Sequence, residues 1–211
     1  MEEPFETTGI RGILHRPDAG NGHALLLTHG AGSNCQAPLL VRLSRAFESA
    51  GYLVLRYDLP FRQLRPKGPP FPAAAERDRE GIARAAELVR KMARGHMFVG
   101  GHSYGGRQSA MSASSSPQLA DALLLLSYPL HPPKQPENQR TAFFPELRIP
   151  ALFVHGTQDP FASLEELRDA MALIPARTDL LAVEGAGHDL KRAADLANDV
   201  IGRLEACVGR P

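Results

Sequence analysis

Ser103, Asp159 and His188 are residues of the types that can together make a nucleophile, its base and the acid that orients the base. The serine stands in Gly101-His102-Ser103-Tyr104-Gly105, which matches the pattern G-x-S-x-G. In this pattern the serine lies on a sharp turn from a strand into a helix, and the flanking glycines let the two elements approach closely. The chemistry this combination predicts is acyl transfer through an acyl-enzyme.

The order of the three residues along the chain fits this chemistry. In such sites the acid and the histidine come after the serine, each just beyond a later strand. Asp159 follows the apolar run 151–154, and His188 follows the apolar run 180–183. Because the carboxyl ends of parallel strands meet at one edge of a sheet, we expect the side chains to converge. Asp159 could instead cap the turn that follows it, and Asp189 adjoins the histidine but is poorly placed to face its ring.

A fourth feature is a pair of backbone donors for a developing negative charge. The segment His29-Gly30-Ala31-Gly32 follows the apolar run 24–28. We expect it to place the Ala31 N–H opposite the N–H of Tyr104, the residue after the serine. Two such donors form an oxyanion hole, and losing one typically slows the reaction about 10²–10³-fold.

The elements that must position these residues are short strands alternating with helices. Continuous apolar runs bounded by glycine or proline indicate strands covered on both faces, as in a parallel sheet. The alternation predicts an α/β fold with a doubly wound, mostly parallel sheet, helices on both faces, and one domain over residues 1–211. The predicted strands are 24–28, 52–57, 97–99, 122–126, 151–154 and 179–183, and the predicted helices are 39–50, 73–94, one beginning near 107–114, 163–173 and 190–207.

Two proline-rich segments interrupt this alternation. Residues 59–72 and 129–145 are expected to be loops, since proline disfavours helix interiors and central strands. The connection 128–149 is too short to hold a lid domain, so we expect an open site. Arg62, Arg65 and Lys67 in the first loop either attract an anionic substrate or form a solvated basic loop.

Composition excludes several classes of protein. The chain of 211 residues carries 24 Lys and Arg against 23 Asp and Glu, a formal charge of +1, which gives no footprint for nucleic acid or an anionic membrane. No apolar run is long enough to span a membrane, and the acidic start lacks signal-peptide features. Cys35 and Cys207 match no metal-binding spacing. We expect a cytoplasmic protein without metal or cofactor, and leave the oligomeric state open.

Other side chains beside the motifs are expected to have structural roles. A second base has no place in the mechanism, so His29 and His155 are interpreted as hydrogen-bonding supports. His102 either lines the pocket or supports it. Cys35 is expected to be a buried, unreactive thiol, because no neighbour in sequence would lower its pKa.

Taken together, the motifs resemble those of α/β-hydrolases. They are His29-Gly30-Ala31-Gly32, Gly101-His102-Ser103-Tyr104-Gly105, His155-Gly156-Thr157-Gln158-Asp159 and Gly187-His188. Residues 56–61 and 101–107 are similar to a compact bacterial branch related to human testis-expressed α/β-hydrolase-like proteins and to dienelactone-hydrolase-like proteins. The resemblance implies hydrolysis without naming a substrate. Dienelactone hydrolases carry a cysteine nucleophile where this chain has Ser103, which speaks against that lactonase activity.

We therefore expect a serine hydrolase that cleaves an ester or thioester of a small carboxylic acid, with a small-molecule acyl substrate as its partner. Acyl transfer to an acceptor other than water uses the same residues. The alternative is a non-catalytic binding or scaffold protein that keeps the fold.

Overall fold

The computed structural model describes residues 1–191 and 196–209. Strands β1 to β8 are Glu2–Thr7, Ile10–His15, Ala24–Thr28, Leu53–Tyr57, Met97–His102, Ala122–Leu126, Ala151–Gly156 and Thr178–Val183. Helices α1 to α6 are Pro38–Ser49, Pro60–Leu64, Ala75–Met92, Tyr104–Ser115, Leu164–Met171 and Leu196–Val208.

The strands form a single sheet in the order β1-β2-β4-β3-β5-β6-β7-β8. From β4 to β8 every neighbouring pair is parallel, so the carboxyl ends of these strands share one edge of the sheet. This arrangement confirms the predicted α/β fold, and each of the six predicted strands is present.

Side chains of the central strands are buried on both faces, as the continuous apolar runs predict. One face packs against α3, α4 and α5, and the other packs against α1 and α6. Successive residues of a strand alternate between the two cores. Leu26, Val99, Leu123 and Leu125 lie in the first core, whereas Leu25, Leu27, Phe98 and Leu124 lie in the second.

An antiparallel hairpin of β1 and β2, which is not among the predicted strands, extends the sheet beyond β4. The residues of β1 are mostly exposed, so the strand lacks the apolar run that predicts strands β3 to β8. Glu2 is held by an ion pair with the buried Arg56 of β4, a contact between residues distant in sequence.

The expectation that residues 59–72 form a loop throughout is wrong for Pro60–Leu64, which is helix α2. Pro60 occupies the first turn, where a missing N–H breaks no helical hydrogen bond. The described residues between β6 and β7 contain one short 3₁₀ turn, Phe144–Glu146, and no lid domain, as predicted.

The ends of the first four predicted helices differ from the predictions by a few residues, and the start of the last helix differs by more. The predicted N-cap Ser163 is confirmed, because its Oγ accepts from the Glu166 N–H at 3.2 Å. The predicted helix 190–207 is described from Leu196 to Val208, and residues 192–195 lie outside the described residues. Leu190 has φ of 50° and is not helical. Among the described helices, none has the length and apolar character that crossing a membrane requires.

Candidate active site

Ser103 lies on the sharp turn between β5 and α4. Its backbone has φ of 52° and ψ of −116°, a conformation that side-chain-bearing residues rarely adopt. The Ser103 N–H donates to the Leu126 carbonyl of the neighbouring strand at 2.8 Å, which helps to hold the turn in this shape. The turn therefore raises the serine above the carboxyl edge of the sheet.

Glycines on either side of Ser103 permit this turn because strand β3 passes very close to it. A Cβ on Gly101 would lie 2.1 Å from Thr28 Oγ1, and a Cβ on Gly105 would lie 2.3 Å from the same atom. The two glycines of the pattern are thus required by the approach of α4 and β5 to β3.

The structure brings Ser103, His188 and Asp159 into one line of hydrogen bonds. His188 Nδ1 is 2.8 Å from Asp159 Oδ2, and His188 Nε2 is 2.8 Å from Ser103 Oγ. The Asp159 carboxylate can only accept, so Nδ1 carries the proton of the neutral ring. Nε2 is then free to accept the proton of the serine hydroxyl, as a base must.

The Asp159 side chain is fully buried, whereas that of His188 is 24% exposed. Burial alone would raise the pKa of Asp159, but the hydrogen bond and charge of His188 and the Phe161 N–H outweigh it, so the pKa is lowered. The carboxylate therefore stays ionised beside the ring. Asp189 is exposed and pairs with Lys191 at 2.6 Å, away from the ring nitrogens.

The segment after β3 forms a tight turn beside the serine. Ser33 N–H donates to the Gly30 carbonyl at 3.0 Å, and a Cβ on Gly30 would lie 3.6 Å from the Ser103 Cβ. Among the described residues, the N–H groups of Ala31 and Tyr104 have no hydrogen-bond acceptor in the protein. Their role as an oxyanion hole stays a prediction, and their free donors are compatible with it.

Three further histidines surround the site and make hydrogen bonds to backbone groups. His29 Nδ1 donates to the Gly30 carbonyl at 2.9 Å, and its Nε2 accepts from the Leu59 N–H at 3.0 Å. His155 Nε2 donates to the Ala162 carbonyl at 3.0 Å.

His102 Nε2 donates to the His188 carbonyl at 2.7 Å and so helps to fix the backbone of the histidine loop. Of the two roles that the sequence left open for His102, this contact favours support.

Two aromatic contacts at the site have no signal in the sequence. The Phe161 ring lies 4.3 Å from the His188 ring, centroid to centroid, and restricts its tilt. Tyr104 donates its hydroxyl proton to Asp78 Oδ2 at 2.7 Å, and its ring meets that of Phe61 edge to face. Both contacts join segments far apart in sequence, which local patterns cannot reveal.

Cys35 is buried, and burial raises the pKa of its thiol to about 12, as expected for an unreactive thiol.

Arg62 fits neither role considered for the basic loop, because it is buried and its hydrogen bonds go to carbonyl groups. Arg65 lies over the exposed ring of Phe71 at 4.4 Å. Within the described ranges, no cluster of histidine, cysteine and acidic side chains is arranged to hold a metal ion.

The fold of this chain is shared by known proteins. Solved structures that share this fold include a dienelactone hydrolase from Anabaena variabilis (TM-score 0.74, 18% identity, covering 97% of this chain and 96% of that one). Est1E from Butyrivibrio proteoclasticus with bound ferulic acid matches with a TM-score of 0.80, 16% identity and coverage of 99% and 100%. A serine hydrolase without a lid from Xanthomonas campestris matches with a TM-score of 0.77, 16% identity and coverage of 100% and 96%. A family model described as an alpha/beta hydrolase domain matches residues 21–204, and the chain belongs to that family.

Proposed function

We propose that the protein is a serine hydrolase that cleaves an ester or thioester of a small carboxylic acid. The observation that carries this proposal is the hydrogen-bonded line from Ser103 through His188 to Asp159, with 2.8 Å at each contact. A nucleophile, its base and a buried acid that orients the base have the geometry that acyl transfer needs.

In the proposed reaction, Ser103 Oγ attacks the substrate carbonyl carbon while its proton passes to His188 Nε2. The negative charge on the carbonyl oxygen is stabilised by the N–H groups of Ala31 and Tyr104. The intermediate then collapses, and the alcohol or thiol leaves with the proton from His188. Water attacks the resulting acyl-serine in the same way, releasing the carboxylic acid and restoring the serine.

The absence of a lid among the described residues supports a small or extended substrate over a deeply buried lipid. The partial exposure of His188 supports the same conclusion, because water and small esters reach the ring from solvent. Two proteins of similar fold also agree with a small acyl group. One is described as a dienelactone hydrolase, and the other has ferulic acid bound.

Labelling with a fluorophosphonate, followed by peptide mass mapping, tests the proposal. We expect an adduct on Ser103 in the unmodified protein and none in Ser103→Ala. Ser114→Ala is the matched control, since this serine lies in α4 but bonds to the Met111 carbonyl instead of the histidine. Its labelling and ester turnover should equal those of the unmodified protein.

An absent adduct on protein whose circular dichroism shows it to be folded would contradict the proposal and favour a non-catalytic scaffold.

If Ser103 is labelled, the rates with p-nitrophenyl acetate and with an acetyl thioester separate the two substrate classes. Added alcohol reveals acyl transfer by the new ester that it forms.

A further inference from the structure

Arg62 lies in α2 with only 3% of its surface exposed, and all its hydrogen bonds go to backbone carbonyl oxygens. Its Nε donates to Ser33 at 2.6 Å, and its Nη2 donates to Ala31 and to Gly68, each at 2.9 Å. Its Nη1 donates to Arg65 at 3.0 Å. One guanidinium thus joins the turn after β3 to the proline-rich loop after α2.

Within the described part of the chain, Arg62 has no carboxylate within ion-pair distance. This distinguishes it from the buried Arg56, which pairs with Glu2. An arginine keeps its charge in proteins, and a buried charge is costly unless it is paired or extensively hydrogen-bonded. Among the described residues, the groups that contact the Arg62 guanidinium are therefore carbonyl dipoles and not a carboxylate.

The turn that Arg62 holds is the one that carries the Ala31 N–H. The Ala31 and Ser33 carbonyls accept from the guanidinium, and the Ser33 N–H closes the turn onto Gly30 at 3.0 Å. With these contacts the backbone of Ala31 is fixed beside Ser103. The charge also acts on His29, whose pKa is lowered to about 4, mainly by burial; the Arg62 charge adds to the lowering, and the Asp58 carboxylate opposes it.

Helix α2 is itself tied to the second proposed donor of the oxyanion hole. The Phe61 N–H donates to Asp78 Oδ1 at 2.9 Å, and the other oxygen of Asp78 accepts from the Tyr104 hydroxyl at 2.7 Å. The neighbouring residues Phe61 and Arg62 therefore connect to Tyr104 and Ala31, one each. A five-residue helix links the two segments whose N–H groups must converge.

We propose that Arg62 is a positioning residue of the oxyanion hole. It fixes the Ala31 backbone through the Ala31 carbonyl, and its positive charge, which contacts no carboxylate among the described residues, stabilises the substrate carbonyl oxygen as that atom becomes negative. This inference rests on the proposed function. Because the charge on the substrate oxygen develops in the transition state, Arg62 raises kcat more than it tightens substrate binding.

The experiment compares Arg62→Met, Arg62→Lys and the control Arg65→Met with p-nitrophenyl acetate as substrate. Methionine removes the charge and the hydrogen bonds, so we expect kcat to fall about 10–10²-fold with KM within about threefold, less than the loss of a whole donor. Lysine keeps the charge but reaches fewer carbonyls, so its kcat should lie between the two. Arg65→Met removes a side chain that lies over Phe71 at the exposed loop and should keep kcat within about twofold.

A second readout separates positioning from general loss of structure. Ser103 adds to the carbonyl of a trifluoromethyl ketone, and the tetrahedral adduct carries a negatively charged oxygen like that of the transition state. The affinity for this ketone should therefore fall by the same factor as kcat/KM across the variants. Amide exchange at Ser33 should speed up in Arg62→Met while amides in the central strands keep their protection. If Arg62→Met fails to fold, the split between kcat and KM in Arg62→Lys replaces it.

Wild-type kcat in a folded Arg62→Met, or a loss confined to KM, would overturn the role of Arg62. Fluorophosphonate labelling of Ser103 in the unmodified protein is scored separately. A missing label there overturns the proposed function, and the role of Arg62 with it, whereas a normal label with unchanged Arg62 variants overturns the positioning role alone.

Discussion

Replacing Asp159 by asparagine tests how the proton of His188 is placed. Both oxygens of the carboxylate now accept: Oδ1 from the Phe161 N–H at 3.0 Å and Oδ2 from His188 Nδ1 at 2.8 Å. An asparagine of nearly the same shape offers one accepting oxygen and one donating amide. With its oxygen on the Phe161 N–H, its amide would face Nδ1 and force the ring proton onto Nε2.

That exchange removes the base, because a protonated Nε2 cannot accept the Ser103 proton. The comparable change in a serine protease lowers kcat about 10⁴-fold, and we expect the same scale for Asp159→Asn. At about 1.36 kcal/mol for each tenfold, this is about 5 kcal/mol of lost transition-state stabilisation. The substitution fits the buried site, so the fold should be retained.

The assay is the pre-steady-state release of p-nitrophenol, which reports acylation of Ser103 directly. Asp189→Asn is the matched control, since this carboxylate adjoins His188 in sequence but is 52% exposed and pairs with Lys191. We expect the control to keep its rate within about twofold, as exposed ion pairs contribute little. Thermal melts of both variants show whether they remain folded.

Activity of Asp159→Asn within tenfold of the unmodified protein would refute the assignment of the tautomer to this carboxylate. An equal loss in Asp189→Asn would mean that the acid has been misidentified.

Three further outcomes follow from the burial of Cys35 and His29 and from the exposure of Gly202. Because burial raises the pKa of Cys35 to about 12, iodoacetamide at pH 8 should modify this thiol in urea but not in the native protein, and native modification found by mass spectrometry would contradict its burial. Burial lowers the pKa of His29 to about 4, so unfolding takes up a proton at a pH between about 4 and 6.5. The contribution of neutral His29 to the free energy of unfolding is complete above pH 6.5. It is lost as the pH falls towards 4, by up to about 3 kcal/mol. A flat profile in urea titrations between pH 7 and 4.5 would disprove this. Gly202 in α6 has open space where a Cβ would be, so Gly202→Ala should stabilise by about 0.5–1 kcal/mol, and a lower melting temperature would count against it.

The residues of the site could be selected from the sequence because strand order does the positioning. Ser103, Asp159 and His188 follow three different strands that all end at the same edge of the sheet. Apolar runs reveal such strands, and the direction of parallel strands then brings residues 85 positions apart into contact. Their catalytic roles stay predictions until the labelling and kinetic experiments are done.

Strand β1, helix α2 and the burial of Arg62 could not be predicted from local sequence patterns. Strand β1 has exposed glutamates in place of an apolar run and is tied down by the ion pair between Glu2 and Arg56. Helix α2 is short and begins with Pro60 inside a segment rich in prolines, which resembles a loop by composition. The burial of Arg62 depends on carbonyl groups from two separate loops, so no local pattern distinguishes it from a solvated arginine.

The backbone of Ser103 also has a consequence for how this chain can be engineered. A residue with a side chain at φ of 52° and ψ of −116° is strained, by about 1–3 kcal/mol as a rule, whereas glycine adopts such angles freely. A library selected for heat resistance alone would therefore favour glycine at this position and discard the nucleophile. Stabilised descendants will keep the serine only if each round of selection also demands turnover, and alanine, which retains the Cβ, is the better-matched inactive variant.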